Sequence, residues 1–185
     1  MLEKRALDID PTAHFNPWNY CKELKEKMQQ LHSTRNCKYM LNFHIVWCPR
    51  GRVKILFQEA RTMLVSAIEA ICRKNNWTPY AIEPMPNHIH LFVGTKDFRE
   101  EVMGKLKGRT SSLLQECFPV MKKALLNGKI WSRSYYISSI GNVSGQTLLK
   151  YLAKQWKKFD DPRYELTIAA LHKGQQKLSE YHNPP

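Results

Sequence analysis

Between Pro84 and Val93 the chain reads Pro-Met-Pro-Asn-His-Ile-His-Leu-Phe-Val, and no other stretch restricts the fold as much. The proline and asparagine cluster marks a turn, the residues after it are too β-rich for a helix, and side chains on a strand alternate between two faces. His88 and His90 must then project from one face, and Ile89, Leu91 and Val93 from the other. A strand with one apolar face has to bury it against another layer, here helices, which leaves the imidazoles looking outward from a rigid platform. Two imidazoles one residue apart are a ready pair of metal ligands, although a His-x-His on a strand is by itself more often structural.

The segments around this strand supply the missing layer. Met40–Cys48 alternates, with Leu41, Phe43, Ile45 and Trp47 on one face and Asn42, His44 and Val46 on the other, so it predicts a strand closed by the basic turn Pro49-Arg50-Gly51-Arg52. Met63, Leu64, Ala67, Ile68 and Ile71 recur at helical spacing and predict an amphipathic helix over Gln58–Asn75. A strand follows near Thr78–Glu83, the histidine strand ends at Gly94, and a second helix fits Phe98–Phe118. After a basic connection, Ser134–Ile140 reads as a strand. Gly141-Asn142-Val143-Ser144 breaks it, with Ser144 as a cap for a helix running to Lys157. Strand, helix, strand, strand, helix, strand is the ferredoxin-like split βαβ order. The expected class is α+β: a ferredoxin-like or RRM-like antiparallel sheet with helices on one face and one additional C-terminal helix.

The 185 residues suffice for one compact domain, so residues 37–157 are expected to form it, with 1–36 as an N-terminal extension containing a polar helix near Tyr20–Leu31 and 158–185 as a helical tail. The formal charge of +13 is concentrated in the central part, where residues 37–157 carry 19 basic and 7 acidic side chains. That distribution calls for a polyanionic partner. No run approaches a membrane span and no secretory apolar region opens the chain, which leads to the expectation of a cytoplasmic protein with no membrane partner. Cys21, Cys37, Cys48, Cys72 and Cys117 are odd in number and scattered, so they read as reduced packing residues rather than disulfides or a zinc knuckle.

In the last core helix Leu148, Tyr151, Leu152 and Gln155 follow the i, i+3, i+4, i+7 rule and share a face, with Tyr151 and Gln155 one turn apart. A phenol with a pKa near ~10 is a poor nucleophile at neutral pH. It needs an electrophile polarised by a cation, which the two histidines could hold while Gln155 adds a third donor. Taken alone, Tyr151 is an ordinary half-buried helix residue, and Tyr135 and Tyr136 compete as nucleophiles although a tyrosine-rich strand is usually packing.

Four motifs, Phe43-His44-Ile45-Val46-Trp47-Cys48-Pro49, Met85-Pro86-Asn87-His88-Ile89-His90-Leu91-Phe92-Val93, Trp131-Ser132-Arg133-Ser134-Tyr135-Tyr136 and Tyr151-Leu152-Ala153-Lys154-Gln155, stand in the order seen in another set of proteins. Together they resemble single-tyrosine HUH transposases of the TnpA type, small enzymes of insertion sequences that move as single-stranded DNA and are related to REP-associated tyrosine transposases. The resemblance spans residues 38–157 and neither extension. It implies that Tyr151 attacks a DNA phosphate to form a 5′-phosphotyrosine link, and that a second strand's 3′-hydroxyl reseals the link without ATP. It further implies that His88, His90 and Gln155 hold Mg²⁺ or Mn²⁺. Histidine donors lean toward Mn²⁺ or another transition metal.

The same resemblance implies single-stranded DNA with hairpins at the ends of a mobile element as the partner. It also implies a homodimer in which the tyrosine helix of one subunit completes the histidine site of the other, the glycines at 141 and 145 suiting a mobile arm. Arg50, Arg52, Lys105, Lys107, Arg109 and Arg133 are the candidate DNA contacts. For the three on the second helix, a solvated face is the equal alternative. His44 falls on the sheet face opposite Phe43. Its plain reading is a half-exposed strand histidine, its sharper one a support for the metal ligands. Lys154 stands where relatives often carry an acidic residue, which changes the charge beside Gln155. The rival readings are a domesticated relative acting on repeated palindromes and a non-catalytic nucleic-acid-binding module on an RRM-like sheet.

Overall fold

The alternation and helical periodicities predicted above place the four long strands and the three longest helices within a few residues. The computed structural model describes residues 41–125, 129–141 and 145–171, with Pro17 and residues 32–33, 35–36 and 38–39. The helix expected near Tyr20–Leu31 and the capping role of Ser144 lie outside the described residues. The chain forms two compact units, one spanning Glu26–Asn142 and the other containing Val143–Pro185.

The first unit opens with a short antiparallel pair, β1 (His32–Ser33) and β2 (Lys38–Tyr39). It continues through β3 (Asn42–Trp47), α1 (Gln58–Lys74), β4 (Thr78–Met85), β5 (His88–Gly94), α2 (Arg99–Cys117), α3 (Pro119–Ala124) and β6 (Tyr136–Ser139). The four long strands form one antiparallel sheet in the order β4-β5-β3-β6. β3 and β4 are therefore co-directional with β5 inserted between them, the split βαβ topology that the element order predicts.

One face of the sheet carries the core. Ile45 and Trp47 of β3 and Ile89, Leu91 and Val93 of β5 are buried with Leu64, Ile68 and Ile71 of α1 and Val102, Met103, Leu106 and Leu114 of α2. The expectation that the opposite face stands open is corrected. His90 and Phe92 are each 3 % exposed, and Asn42, Glu83 and Met85 on the same face are buried too.

Two further differences have physical causes. β4 runs through Pro84 and Met85, where the sequence suggested a turn, because β4 is the outermost strand of the sheet. An edge position tolerates residues that lack an N–H. At the other edge, β6 begins only at Tyr136 because the backbone before it is engaged elsewhere. Pro49 and Trp131 form a β-bridge, the Ser132 N–H donates to the Cys48 carbonyl, and Lys107 donates to the carbonyls of Ser132 and Arg133 at 2.5 and 3.0 Å. α3, where a plain basic connection was expected, starts with Pro119 in its first turn, a position that proline favours.

Gly94 closes β5 against a buried hydroxyl. The register irregularity between Pro79 and Ala81 accommodates Tyr80, whose hydroxyl donates to Asn42 Oδ1 at 2.5 Å. Burial pushes the Tyr80 phenol up to about 12. A Cβ on Gly94 would meet that hydroxyl oxygen at 2.2 Å. Gly94→Ala is therefore expected to lower unfolding free energy by about 1–3 kcal/mol through overpacking, read as a drop in urea midpoint at unchanged slope. A midpoint equal to that of the parent would mean that Tyr80 moves aside at no cost.

In the second unit α4 (Gly145–Lys157) buries Leu148, Leu149, Leu152, Ala153 and Trp156. A further helix, α5, covers residues 163–171, within the tail that the sequence assigned a helix. Asp161 starts it by accepting from the Arg163 backbone N–H and guanidinium at 3.0 Å. The Arg163 guanidinium lies 4.5 Å from the centre of the Trp156 ring, which ties α5 back to α4.

Candidate active site

Strand register decides which side chains meet. Val46 pairs with His90, His44 with Phe92, Val46 with Tyr136, and Glu83 with His90, so these side chains share the face away from the helices. His88 and His90 of β5 converge there, with their Nε2 atoms 3.0 Å apart. The other nitrogen of each ring is engaged. His88 Nδ1 lies 2.6 Å from Asn87 Oδ1, and His90 Nδ1 lies 2.9 Å from His44 Nε2.

The tautomer of His88 follows from its partner. An amide oxygen only accepts, so His88 donates from Nδ1 to Asn87. Burial pushes His44 down to about 4, so it is uncharged at neutral pH. The Nε2 atoms of His88 and His90 thus face one another, and the Nδ1 atom of each ring is turned to its own partner. Two adjacent ligands on an octahedral ion with bonds of ~2.1 Å sit about 3.0 Å apart. The donor chemistry and the spacing of the pair fit a divalent cation. Among the described residues no set of three histidine, cysteine, aspartate or glutamate side chains is placed to hold a metal.

Tyr151 and Gln155 lie on α4, in the second unit, one turn apart and beside its buried stripe, with Tyr151 36 % exposed. The structure thus brings His88 and His90 together in one unit and Tyr151 and Gln155 together in the other.

The six candidate DNA contacts separate into three groups, all within the first unit. Arg50 and Arg52 are exposed on the 3₁₀ turn after β3, and Arg133 is exposed just past the Pro49–Trp131 bridge. By register this is the end of the sheet that carries His88. Lys105 pairs with Glu101 and Asp97 at 2.6 and 3.5 Å, while Arg109, one turn on, is exposed. Both line an open groove of about 880 Å³ between α1 and α2, with Lys74. Lys107 points the other way, with its ammonium on two backbone carbonyls and 5.6 Å from the centre of the Tyr135 ring, and burial lowers its pKa. It anchors the segment that leads into β6.

Two residues on the histidine face escaped sequence reasoning. Glu83 is buried directly across the strand from His90, and Asn87 holds His88. Glu83 shares its face with Ala81 and Met85, past the irregularity between Pro79 and Ala81 that breaks simple alternation along the strand. Of the tyrosines near β6, Tyr135 packs against the core and Tyr136 is 57 % exposed, its ring 6.0 Å from that of His44.

The chain belongs to the IS200-like transposase family, whose model matches residues 37–155 and so takes in His88, His90, Tyr151 and Gln155. It is similar to the ISDra2 transposase TnpA of Deinococcus radiodurans, at 26% identity over 126 residues, covering 67% of this chain and 90% of that one. Similarity to the IS200 transposase of Salmonella typhimurium is 32% over 112 residues, covering 60% of this chain and 71% of the relative. Two solved structures share the fold. A candidate transposase from Deinococcus radiodurans R1 has a TM-score of 0.56 at 24% identity, covering 67% of this chain and 97% of that one. A REP-associated tyrosine transposase bound to a REP hairpin has a TM-score of 0.51 at 17% identity, covering 71% and 77%. The protein is a DNA transposase, an enzyme that cleaves DNA and transfers strands. Among the described residues no helix is long and apolar enough to cross a membrane.

Proposed function

We propose that the chain cuts and rejoins single-stranded DNA at the ends of a mobile element through a covalent bond to Tyr151, assisted by Mg²⁺ or Mn²⁺ held by His88, His90 and Gln155. The observation that carries this reading is the 3.0 Å convergence of the His88 and His90 Nε2 atoms, inside a family match that also contains Tyr151 and Gln155. When bound, the cation supplies Lewis-acid polarisation of a phosphate oxygen.

The chain's own residues do the remainder. The Tyr151 oxygen attacks phosphorus and forms a P–O bond, and the phenolic proton leaves. The bond from phosphorus to the 3′-oxygen breaks, which frees a 3′-hydroxyl and leaves the 5′-phosphate on tyrosine. Attack by another strand's 3′-hydroxyl reverses the sequence and returns the phenol. Phosphodiester energy is conserved throughout, so no nucleotide is consumed.

Arg50, Arg52 and Arg133, exposed at the end of the sheet that bears His88, are suited to phosphates flanking the cut. Hairpin DNA is the proposed ligand, in keeping with the REP hairpin held by a protein of the same fold. The active form is proposed to be a homodimer in which Tyr151 of one copy serves the histidines of the other.

Incubation with labelled single-stranded hairpin DNA from candidate element ends and Mn²⁺ is expected to yield a protein–DNA adduct stable to denaturant, and EDTA is expected to prevent it. Hairpin binding without an adduct under every metal tried would favour the non-catalytic binding module.

A further inference from the structure

We propose that Tyr136 is a stacking platform for an unpaired base of single-stranded DNA lying across the histidine face, and so a further substrate-binding residue of the site. The inference rests on the single-strand reading given above and adds to it one named contact.

Tyr135 and Tyr136 are neighbours in an extended segment, which sends their rings to opposite sides of the sheet. Tyr135 packs against the core, with the Lys107 ammonium 5.6 Å from its ring centre. Tyr136 is 57 % exposed, and among the described residues no other large apolar side chain of the four-stranded sheet is exposed. A ligand can therefore reach this ring, and its removal opens no hole in the core.

Strand register decides what the ring can serve. Val46 pairs with His90 on one side and with Tyr136 on the other, so the three form one row across the histidine face. Two strand spacings, about 10 Å, separate Tyr136 from His90. A single strand covers that distance in about three stacked nucleotides. The Tyr136 ring is braced edge-to-face against His44, with centroids 6.0 Å apart and planes at 70°. Arg133, exposed three residues earlier, and the exposed Arg50 and Arg52 supply cations for the phosphates beside such a base. An aromatic ring beside cationic side chains is the combination that binds single strands with little regard to sequence. A duplex, whose bases are stacked inside the helix, offers this ring no base face.

The test measures binding to the full chain by fluorescence anisotropy in EDTA, so that neither metal nor cleavage enters. The probes are a labelled oligothymidylate, an abasic strand of the same length and a blunt duplex. Tyr136→Ala is expected to weaken oligothymidylate binding by about 5–100-fold. Its affinity for the abasic strand and the duplex, and its thermal midpoint, are expected to match the parent. Tyr136→Phe, which keeps the ring, is expected to bind all three probes as the parent does. Phe98→Ala, which truncates an exposed aromatic just before α2, is expected to change none of them.

Undiminished oligothymidylate binding by Tyr136→Ala would overturn the proposal, and an equal loss for all three probes would do the same by marking a structural role. If that variant does not fold, 5-iododeoxyuridine in the oligothymidylate is photocrosslinked to the parent. The crosslink is expected on Tyr136, and crosslinks to other residues alone would count against the platform. A parent that binds no single strand would overturn the single-strand reading and the platform with it. A parent that binds, with a variant that binds equally, would remove the platform alone.

Discussion

Tyr151→Phe is expected to abolish the covalent protein–DNA adduct while leaving hairpin affinity and thermal midpoint close to those of the parent. The substitution removes one oxygen from a side chain that is 36 % exposed, beside a stripe in which Leu148, Leu149, Leu152, Ala153 and Trp156 are buried. The apolar contacts of α4 survive, and substitutions outside a core usually change stability by no more than ~0.5 kcal/mol. Cleavage without its nucleophile should fall by a factor on the order of 10³ or more, as when a covalent catalyst loses the attacking atom. Denaturing gels of the labelled strand and filter binding of the same strand measure the two properties separately. An adduct that survives would move the nucleophile to another phenol. Tyr136 is then the residue to replace, since it is 57 % exposed on the same sheet face as His44.

The second large effect concerns the histidines. His88→Ala is expected to remove Mn²⁺-dependent adduct formation, bringing the rate to the level of the parent in EDTA. His88 is the better target because it is only partly buried, whereas His90 is 3 % exposed and its truncation would also open a cavity. Without His88, the proposed site would lose one of two imidazole donors and with it the cation expected to polarise the phosphate. The variant also tests where the tyrosine comes from. If active sites are shared between copies, a mixture of Tyr151→Phe and His88→Ala chains regains one intact site per heterodimer, and adduct forms on the His88→Ala copy. A mixture as inert as its components would place both halves of the site in one chain.

The parts of this fold that could be read from sequence are those in which one periodicity governs a whole element. α1 was expected over Gln58–Asn75 and spans Gln58–Lys74; α2 was expected over Phe98–Phe118 and spans Arg99–Cys117. In both, apolar residues at helical spacing face a single core. The misreadings lie where long-range pairing overrides local preference. Pro84 punctuates a turn in most contexts, yet an outermost strand accepts it, so β4 runs on to Met85 where the strand was expected to end at Glu83. β6 spans Tyr136–Ser139 where Ser134–Ile140 was expected, and just before it Lys107, from an element 25 residues earlier, holds the Ser132 carbonyl. For the site, spacing alone put His88 and His90 on one face and Tyr151 beside Gln155. The burial of that sheet face, and the succession Asn87, His88, His90, His44, depend on strand register and could not be read from any single segment.

The prolines of β4 also bear on how the molecule meets its own copies. Met85 and His88 close the β4–β5 hairpin, so alternate residues of β4 turn their amides toward β5 or away from it, and Pro84 occupies an outward position. Pro79 and the adjoining irregularity interrupt the same strand eight residues before Asn87. An incoming extended chain would find donors missing at two places along that margin and a local twist between them, so it could not zip along the strand. Edge-to-edge pairing between copies is thereby disfavoured along this flank.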